Sequence, residues 1–151
     1  MQLTLHSEYA LRVLLYLGTQ PGRLCPTREI SEVYGISKNH LVRVVQTLSD
    51  HGYLDLVPGR RGGVSLAKEP HLIRLGDVVL DAEQNLRLAE CFDARNNTCL
   101  LAPVCSLKPV LNEALEAFLS SLNTHTLADL MARGAKNKMS AKFATITVAR
   151  P

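Results

Sequence analysis

Cys91, Cys99 and Cys105 fall in one short stretch with the spacing C-x7-C-x5-C and no histidine inside it. Thiolates are soft donors that take zinc or the iron of an iron–sulfur cluster, and such sites usually want four ligands. Three cysteines are an incomplete set, so a fourth ligand must come from elsewhere. Two other chemistries use the same residues: a thiol switch that forms disulfides, and a zinc-stapled loop with no sensing role. Clustered cysteines in a cytosolic chain more often bind metal or do redox work than form structural bridges. Cys25 stands apart beside Pro26 and reads as an ordinary structural thiol. Enzyme chemistry leaves no trace here: there is no C-x-x-C, no Walker-type nucleotide loop, and no Ser/His/Asp arrangement.

The elements that position these cysteines must be small. The chain has 151 residues, 46% of them hydrophobic and 21% charged. That suits one globular domain, or a small domain with an oligomerisation element. With no tryptophan and few aromatics the core must be aliphatic. No apolar run approaches the roughly 20 residues a membrane span needs. The first 17 residues lack the basic start and small-residue cleavage site of a signal peptide, so they read as a helix in a cytoplasmic protein. Charge is unevenly spread. Residues 1–75 carry nine Lys/Arg against six Asp/Glu, residues 76–130 three against eight, and residues 131–151 five basic residues and no acid. A basic front and an acidic middle fit a head that faces DNA and a body that faces elsewhere.

Three domains follow: residues 1–75, residues 76–130, and a basic tail, 131–151, expected to be flexible. Ser7 is placed as the cap of a first helix running to about residue 19, which Gln20-Pro21-Gly22 breaks. Thr27 is placed as the cap of a second helix, closed by Tyr34-Gly35. Ser37 caps a third, from 38 to about 51, with Leu41, Val44, Val45 and Leu48 at helical spacing and Gly52 after its end. Residues 53–57 and 64–66 read as strands joined by the turn Pro58-Gly59-Arg60-Arg61-Gly62-Gly63. A helix from 73 to about 84 precedes the cysteine loop. A long helix over 104–122 follows it, and residues 126–130 form a short capped turn.

Helix, short turn, helix and hairpin, in that order, predict a mainly α fold with a small β-hairpin wing: a winged helix-turn-helix plus a long dimerisation helix. The start of a recognition helix meets base edges. The candidate DNA contacts there are Ser37, Lys38, Asn39, His40 and Arg43, with Thr27 and Arg28 at the start of the preceding helix. Asn suits adenine, and Arg or Lys suits guanine or phosphate. Arg60 and Arg61, at the wing tip between glycines, suit minor-groove entry or backbone contact. Specific binding to a double-stranded operator usually needs a dimer reading two half-sites. The 104–122 helix has too much apolar surface for a lone helix on a small domain, so it is the expected homodimer element.

The segments MQLTLHSEYALRVLLYL, ISKNHLVRVVQTLSDHGYL, GRRGGVSL, IRLGDVV, the three cysteines and TLADL occur in this order. Together they resemble the bacterial iron–sulfur winged-helix transcriptional regulators over about residues 1–130. Within that family the chain is similar to the nitric-oxide-sensing members. The cluster-assembly members carry a histidine ligand shortly after the third cysteine, where Ser106, Leu107 and Lys108 stand here. The resemblance implies a homodimeric repressor with one iron–sulfur cluster per subunit, 4Fe–4S in preference to 2Fe–2S, bound by Cys91, Cys99 and Cys105. It implies that an acidic residue at the position of Glu8 reaches in from the partner subunit as the fourth ligand, and that nitric oxide is the signal. Two features depart from the pattern. The family residue at position 8 is typically Asp, one methylene shorter than Glu, and the gap between Cys91 and Cys99 is longer than usual.

Overall fold

The computed structural model describes residues 2–83, 85–93, 95–132 and 134–148. Helices α1 (Leu5–Gly18), α2 (Thr27–Tyr34) and α3 (Lys38–Asp50) are followed by strands β1 (Leu54–Val57) and β2 (Gly63–Leu66). Helices α4 (Leu75–Ala82), α5 (Leu107–Asn123), α6 (Leu127–Met131) and α7 (Ala135–Val148) complete the order.

The apolar spacing dictates the head. Ala10, Val13, Leu14 and Leu17 form the buried stripe of α1, Ile30 and Val33 that of α2, and Leu41, Val44, Val45 and Leu48 that of α3. These stripes converge with Tyr53, Leu54, Val64, Ile73, Val78 and Leu127 on one core. Helix α2 stops because Gly35 takes the left-handed conformation at φ 66°, open to glycine without a Cβ penalty. Ser37 caps α3, its hydroxyl accepting from the His40 N–H.

The hairpin is antiparallel, pairing Leu54 with Leu66 and Val57 with Gly63. Cys25 joins its edge: its N–H donates to the Val64 carbonyl at 2.9 Å and its carbonyl accepts from Val64 at 2.8 Å. A Cβ on Gly63 would stand 2.5 Å from the Cys25 carbonyl oxygen, so only glycine fits there. Cys25 is fully buried, and burial pushes its thiol pKa up, as expected of a structural thiol.

Several local expectations are corrected. The cap of α1 is Thr4, not Ser7; the Ser7 hydroxyl is turned inward and fully buried. Thr27 is the first residue of α2, with Pro26 at the cap position, because Pro26 already holds the extended backbone a cap needs. Helix α4 ends at Ala82; Gln84, the expected end, lies outside the described residues. Helix α5 starts at Leu107, three residues later than expected, and Pro109 falls in its first turn, where a missing N–H costs nothing. The tail, expected to be flexible, is helical over Ala135–Val148. Its Phe143 ring lies 5.2 Å from that of Tyr16 and 5.5 Å from that of Tyr34, which anchors α7 to α1 and α2.

Helix α5 is attached through α4. A Cβ on Gly76 would meet the Leu119 carbonyl oxygen at 2.4 Å, so the two backbones touch. Asn123 clamps the contact: its amide donates to the Asp77 carboxylate at 2.8 Å, and its carbonyl accepts from the Asp77 N–H at 2.9 Å. No residue of α5 is itself buried.

Candidate nucleic-acid interface and cysteine loop

Burial of one face of α3 forces the other outward. Ser37, Lys38, Asn39, His40 and Arg43 are all exposed on it. Among the described residues Lys38 and Arg43 form no ion pair. Gln46 is held to Asp50 at 2.7 Å. Arg60 and Arg61 are exposed at the wing tip and, among the described residues, pair with no carboxylate. The tip turns at Gly59, whose φ of 103° excludes a side chain, and closes with the Gly62 N–H on the Gly59 carbonyl at 3.0 Å.

The fold brings the separate predictions together. A cleft of about 460 Å³ between α3 and the wing is lined by Thr27, Val42, Gln46, Pro58 and Gly62. Thr27, at the start of α2, therefore shares a surface with both reading elements. A second cleft, of about 350 Å³, sets His40 and Arg43 beside Thr4, His6 and Tyr9 at the start of α1. Arg28 is exposed and engages Glu32 at 2.6 Å, which raises its pKa; a surface pair of this kind is weak enough to yield to a phosphate.

The cysteine loop joins α4 to α5. Cys91 and Cys105 are half-buried, Cys99 is exposed, and all three are free thiols. Two carboxylates organise the long gap between the first two. Glu90 accepts from the Thr98 hydroxyl at 2.6 Å and from the Thr98 N–H, and these bonds hold its pKa below the usual carboxylate range. Asp93 accepts from the Arg95 N–H at 2.9 Å and from the Asn96 amide at 3.0 Å, and pairs with Arg87; the Arg95 bond leads in holding its pKa down. These bonds order the described residues of the gap.

The thiols fit a soft metal or an iron–sulfur cluster in kind. Yet among the described residues no three His, Cys, Asp or Glu side chains stand close enough to hold a metal ion. Glu8 lies in the first turn of α1, where its carboxylate pairs with Arg12 one turn on. A different carboxylate, absent from the sequence expectations, reaches the start of α1. Glu83, at the end of α4, accepts from the Thr4 N–H at 3.1 Å, the Thr4 hydroxyl at 3.1 Å and the Ser7 hydroxyl at 2.6 Å. Nothing in local sequence signals a contact across more than 75 positions.

A winged head with an exposed basic face, joined to a loop of three thiols, is the architecture of a DNA-binding transcriptional regulator. Residues 3–133 match the family model of Rrf2, described as an iron-dependent transcriptional regulator, and the chain belongs to that family. It is 46% identical over 139 residues to the HTH-type transcriptional regulator NsrR of Bacillus subtilis, covering 91% of this chain and 92% of that one. It is 48% identical over 132 residues to NsrR of Geobacillus kaustophilus, covering 87% and 90%. Among solved structures, IscR of T. potens superimposes with a TM-score of 0.68 at 23% identity, covering 87% and 86%. The oxidized form of Staphylococcus aureus CymR gives 0.69 at 21% identity, covering 88% and 98%. These two likenesses establish the fold. No helix among the described residues is long and apolar enough to cross a membrane.

Proposed function

We propose that this regulator is a homodimeric, cytoplasmic repressor that binds a double-stranded operator and senses nitric oxide through an iron–sulfur cluster of the 4Fe–4S kind. One observation carries the reading. Three free thiols, none of them buried, share the loop between the reading head and α5. The similarity to regulators named NsrR supports it. Cys91, Cys99 and Cys105 hold the cluster, and Glu8 of the partner subunit completes it. When bound, the cluster would supply iron open to attack by a small molecule such as nitric oxide.

The chain's own residues do the remainder. Asn39, His40 and Arg43 read bases while Ser37, Lys38, Thr27 and Arg28 fix the register on phosphates. Arg60 and Arg61 track the backbone or minor groove. A carboxylate oxygen is a more replaceable ligand than a thiolate. Once released, Glu8 is within reach of Arg12, its partner in this structure. Helix α1 packs on α3, so a shift of its first turn alters the spacing of the two recognition helices. A difference in DNA affinity of about 3 kcal/mol between states gives a switch of more than a hundredfold.

The test is an anaerobic absorption spectrum with iron and sulfide analysis, followed by operator titration before and after nitric oxide. Cluster-loaded protein that bleaches in proportion to nitric oxide, and then releases the operator, is the expected result. Glu8→Ala should weaken cluster retention or the response. Zinc without sulfide, or no metal after reconstitution, would overturn the cluster. A thiol switch is the second reading, favoured by the exposure of Cys99; disulfides among the loop cysteines in mass spectra of oxidised protein would identify it.

A further inference from the structure

The Glu83 carboxylate stands where the cysteine loop, α4 and the start of α1 meet. Glu83 is the C-cap residue of α4, its N–H donating to the Val79 carbonyl at 2.9 Å. A single oxygen of its carboxylate accepts from the Thr4 N–H at 3.1 Å, the Thr4 hydroxyl at 3.1 Å and the Ser7 hydroxyl at 2.6 Å. Thr4 is the cap of α1, and its hydroxyl also accepts from the Ser7 N–H at 3.4 Å. Ser7 is fully buried, and Glu83 is half-buried. Glu83 thus holds the first turn of α1, whose leading N–H groups have no partner within the helix. Hydrogen bonds to an ionised acceptor are about twice as strong as neutral ones.

The same first turn touches the recognition helix. His6 Nε2 lies 3.1 Å from the Thr47 hydroxyl of α3. That hydroxyl donates its proton to the Arg43 carbonyl at 3.1 Å, so it meets His6 as an acceptor. On the other side, the residues after Glu83 enter the cysteine loop. Asn85, Leu86 and Leu88 face Gln2 and Leu3 across a cleft of about 500 Å³, which Glu83 also lines. Among the described residues, every hydrogen bond that crosses from the end of α4 or the loop to α1 and the residues before it ends on Glu83. The path within one subunit is therefore short: loop, Glu83, Thr4 and Ser7, His6, Thr47.

We infer that Glu83 is a positioning residue that transmits the state of the cysteine loop to the recognition helix of the same subunit. This rests on the proposed sensing function, and it adds to it a route that does not pass through the partner. When the loop is drawn around its ligand, the chain at residue 85 moves and Glu83 moves with it. The first turn of α1 follows, and His6 shifts against Thr47.

The test measures operator affinity in two loop states for the wild type, Glu83→Ala, Glu83→Gln and Ser7→Ala. The states are protein reconstituted anaerobically with iron and sulfide, and the same protein after chelator treatment. Hydrogen exchange of residues 5–8 is read in the chelator-treated protein. The wild type is expected to change affinity more than tenfold between states. Glu83→Ala should reduce that ratio to threefold or less and should speed exchange at residues 5–8 several-fold. Ser7→Ala should do the same in part, and covers the case in which Glu83→Ala does not fold. Glu83→Gln keeps an oxygen acceptor and should retain most of the ratio. A merely structural Glu83 would weaken both states equally and leave the ratio intact, and that outcome would overturn the inference alone. A wild-type ratio of one would instead overturn the sensing function, and the inference with it.

Discussion

The reading head and the cysteine-bearing body are built to different degrees of completion. In the head, α1, α2, α3 and the hairpin share one core, and Leu14, Leu17, Ile30, Leu41 and Val64 are all at most 1% exposed. In the body, no described apolar side chain between Ala82 and Leu127 is buried. Leu100 is 95% exposed, Val104 81% and Val110 57%. An apolar run left in water at this density marks a surface that another molecule covers. The head's core is closed on apolar side chains throughout, drawing in Val78 and Ala82 of α4 and Leu127 of α6. The body, by contrast, is held to it by the Gly76 contact, the Asp77–Asn123 clamp and the Glu83 bonds, and its remaining surface is offered outward. What differs is therefore the source of order: internal in the head, and supplied by a second subunit and a bound group in the body under the proposed function.

The contrast is broken most directly at the body's exposed face. Val110→Glu places a charge where the proposed dimer seam would bury it, and an unpaired buried charge costs several kcal/mol. The expected outcome is a monomer at micromolar concentration by size-exclusion chromatography, with operator affinity lower by more than a hundredfold. Thermal unfolding of the head should stay unchanged, because no α5 residue belongs to its core. A dimer of unaltered strength would place the subunit contact elsewhere. A smaller effect is expected on the head's rim. Arg60→Ala with Arg61→Ala removes two exposed wing cations that no internal contact uses. The slope of log affinity against log salt should fall by about 4 for the proposed dimer, which loses two cations from each subunit, and affinity for all sequences should drop alike, with stability untouched. An unchanged slope would remove the wing from the interface.

How far sequence reached follows the same division. Helix α3 was legible because Ser37, the Leu41-Val44-Val45-Leu48 stripe and Gly52 are local signals that agree with one another. The wing was legible from its glycines. The cap of α1 was misplaced to Ser7 because the residue engaging the Ser7 hydroxyl, Glu83, lies 76 positions away, and no period encodes it. Thr27 was misplaced because Pro26 supplies cap geometry without a side-chain bond. By type and spacing the three cysteines stand out in the sequence as a candidate ligand set. Their arrangement is not legible there: among the described residues no ligand set is gathered, and Glu8 rests on Arg12. The tail reads as flexible because α7 has no strong apolar stripe, and its Phe143 ring meets two tyrosines distant in sequence.

That anchor offers the smallest and most selective test of the comparison. Phe143 sits against Tyr16 and Tyr34, whose own rings are 6.4 Å apart, and burial pushes the Tyr34 phenol up to about 12. Aromatic contacts of this kind contribute about 0.5–1.5 kcal/mol each beyond area burial. Phe143→Ala should thus cost about 1–3 kcal/mol and lower the midpoint of thermal unfolding by several degrees. Because the ring packs on the rear of α1 and α2, and not on the exposed face of α3, operator affinity at temperatures well below unfolding should change less than twofold. A large loss of affinity with unchanged stability would instead assign α7 to the DNA-facing surface, and would make the reading unit larger than the winged helix itself.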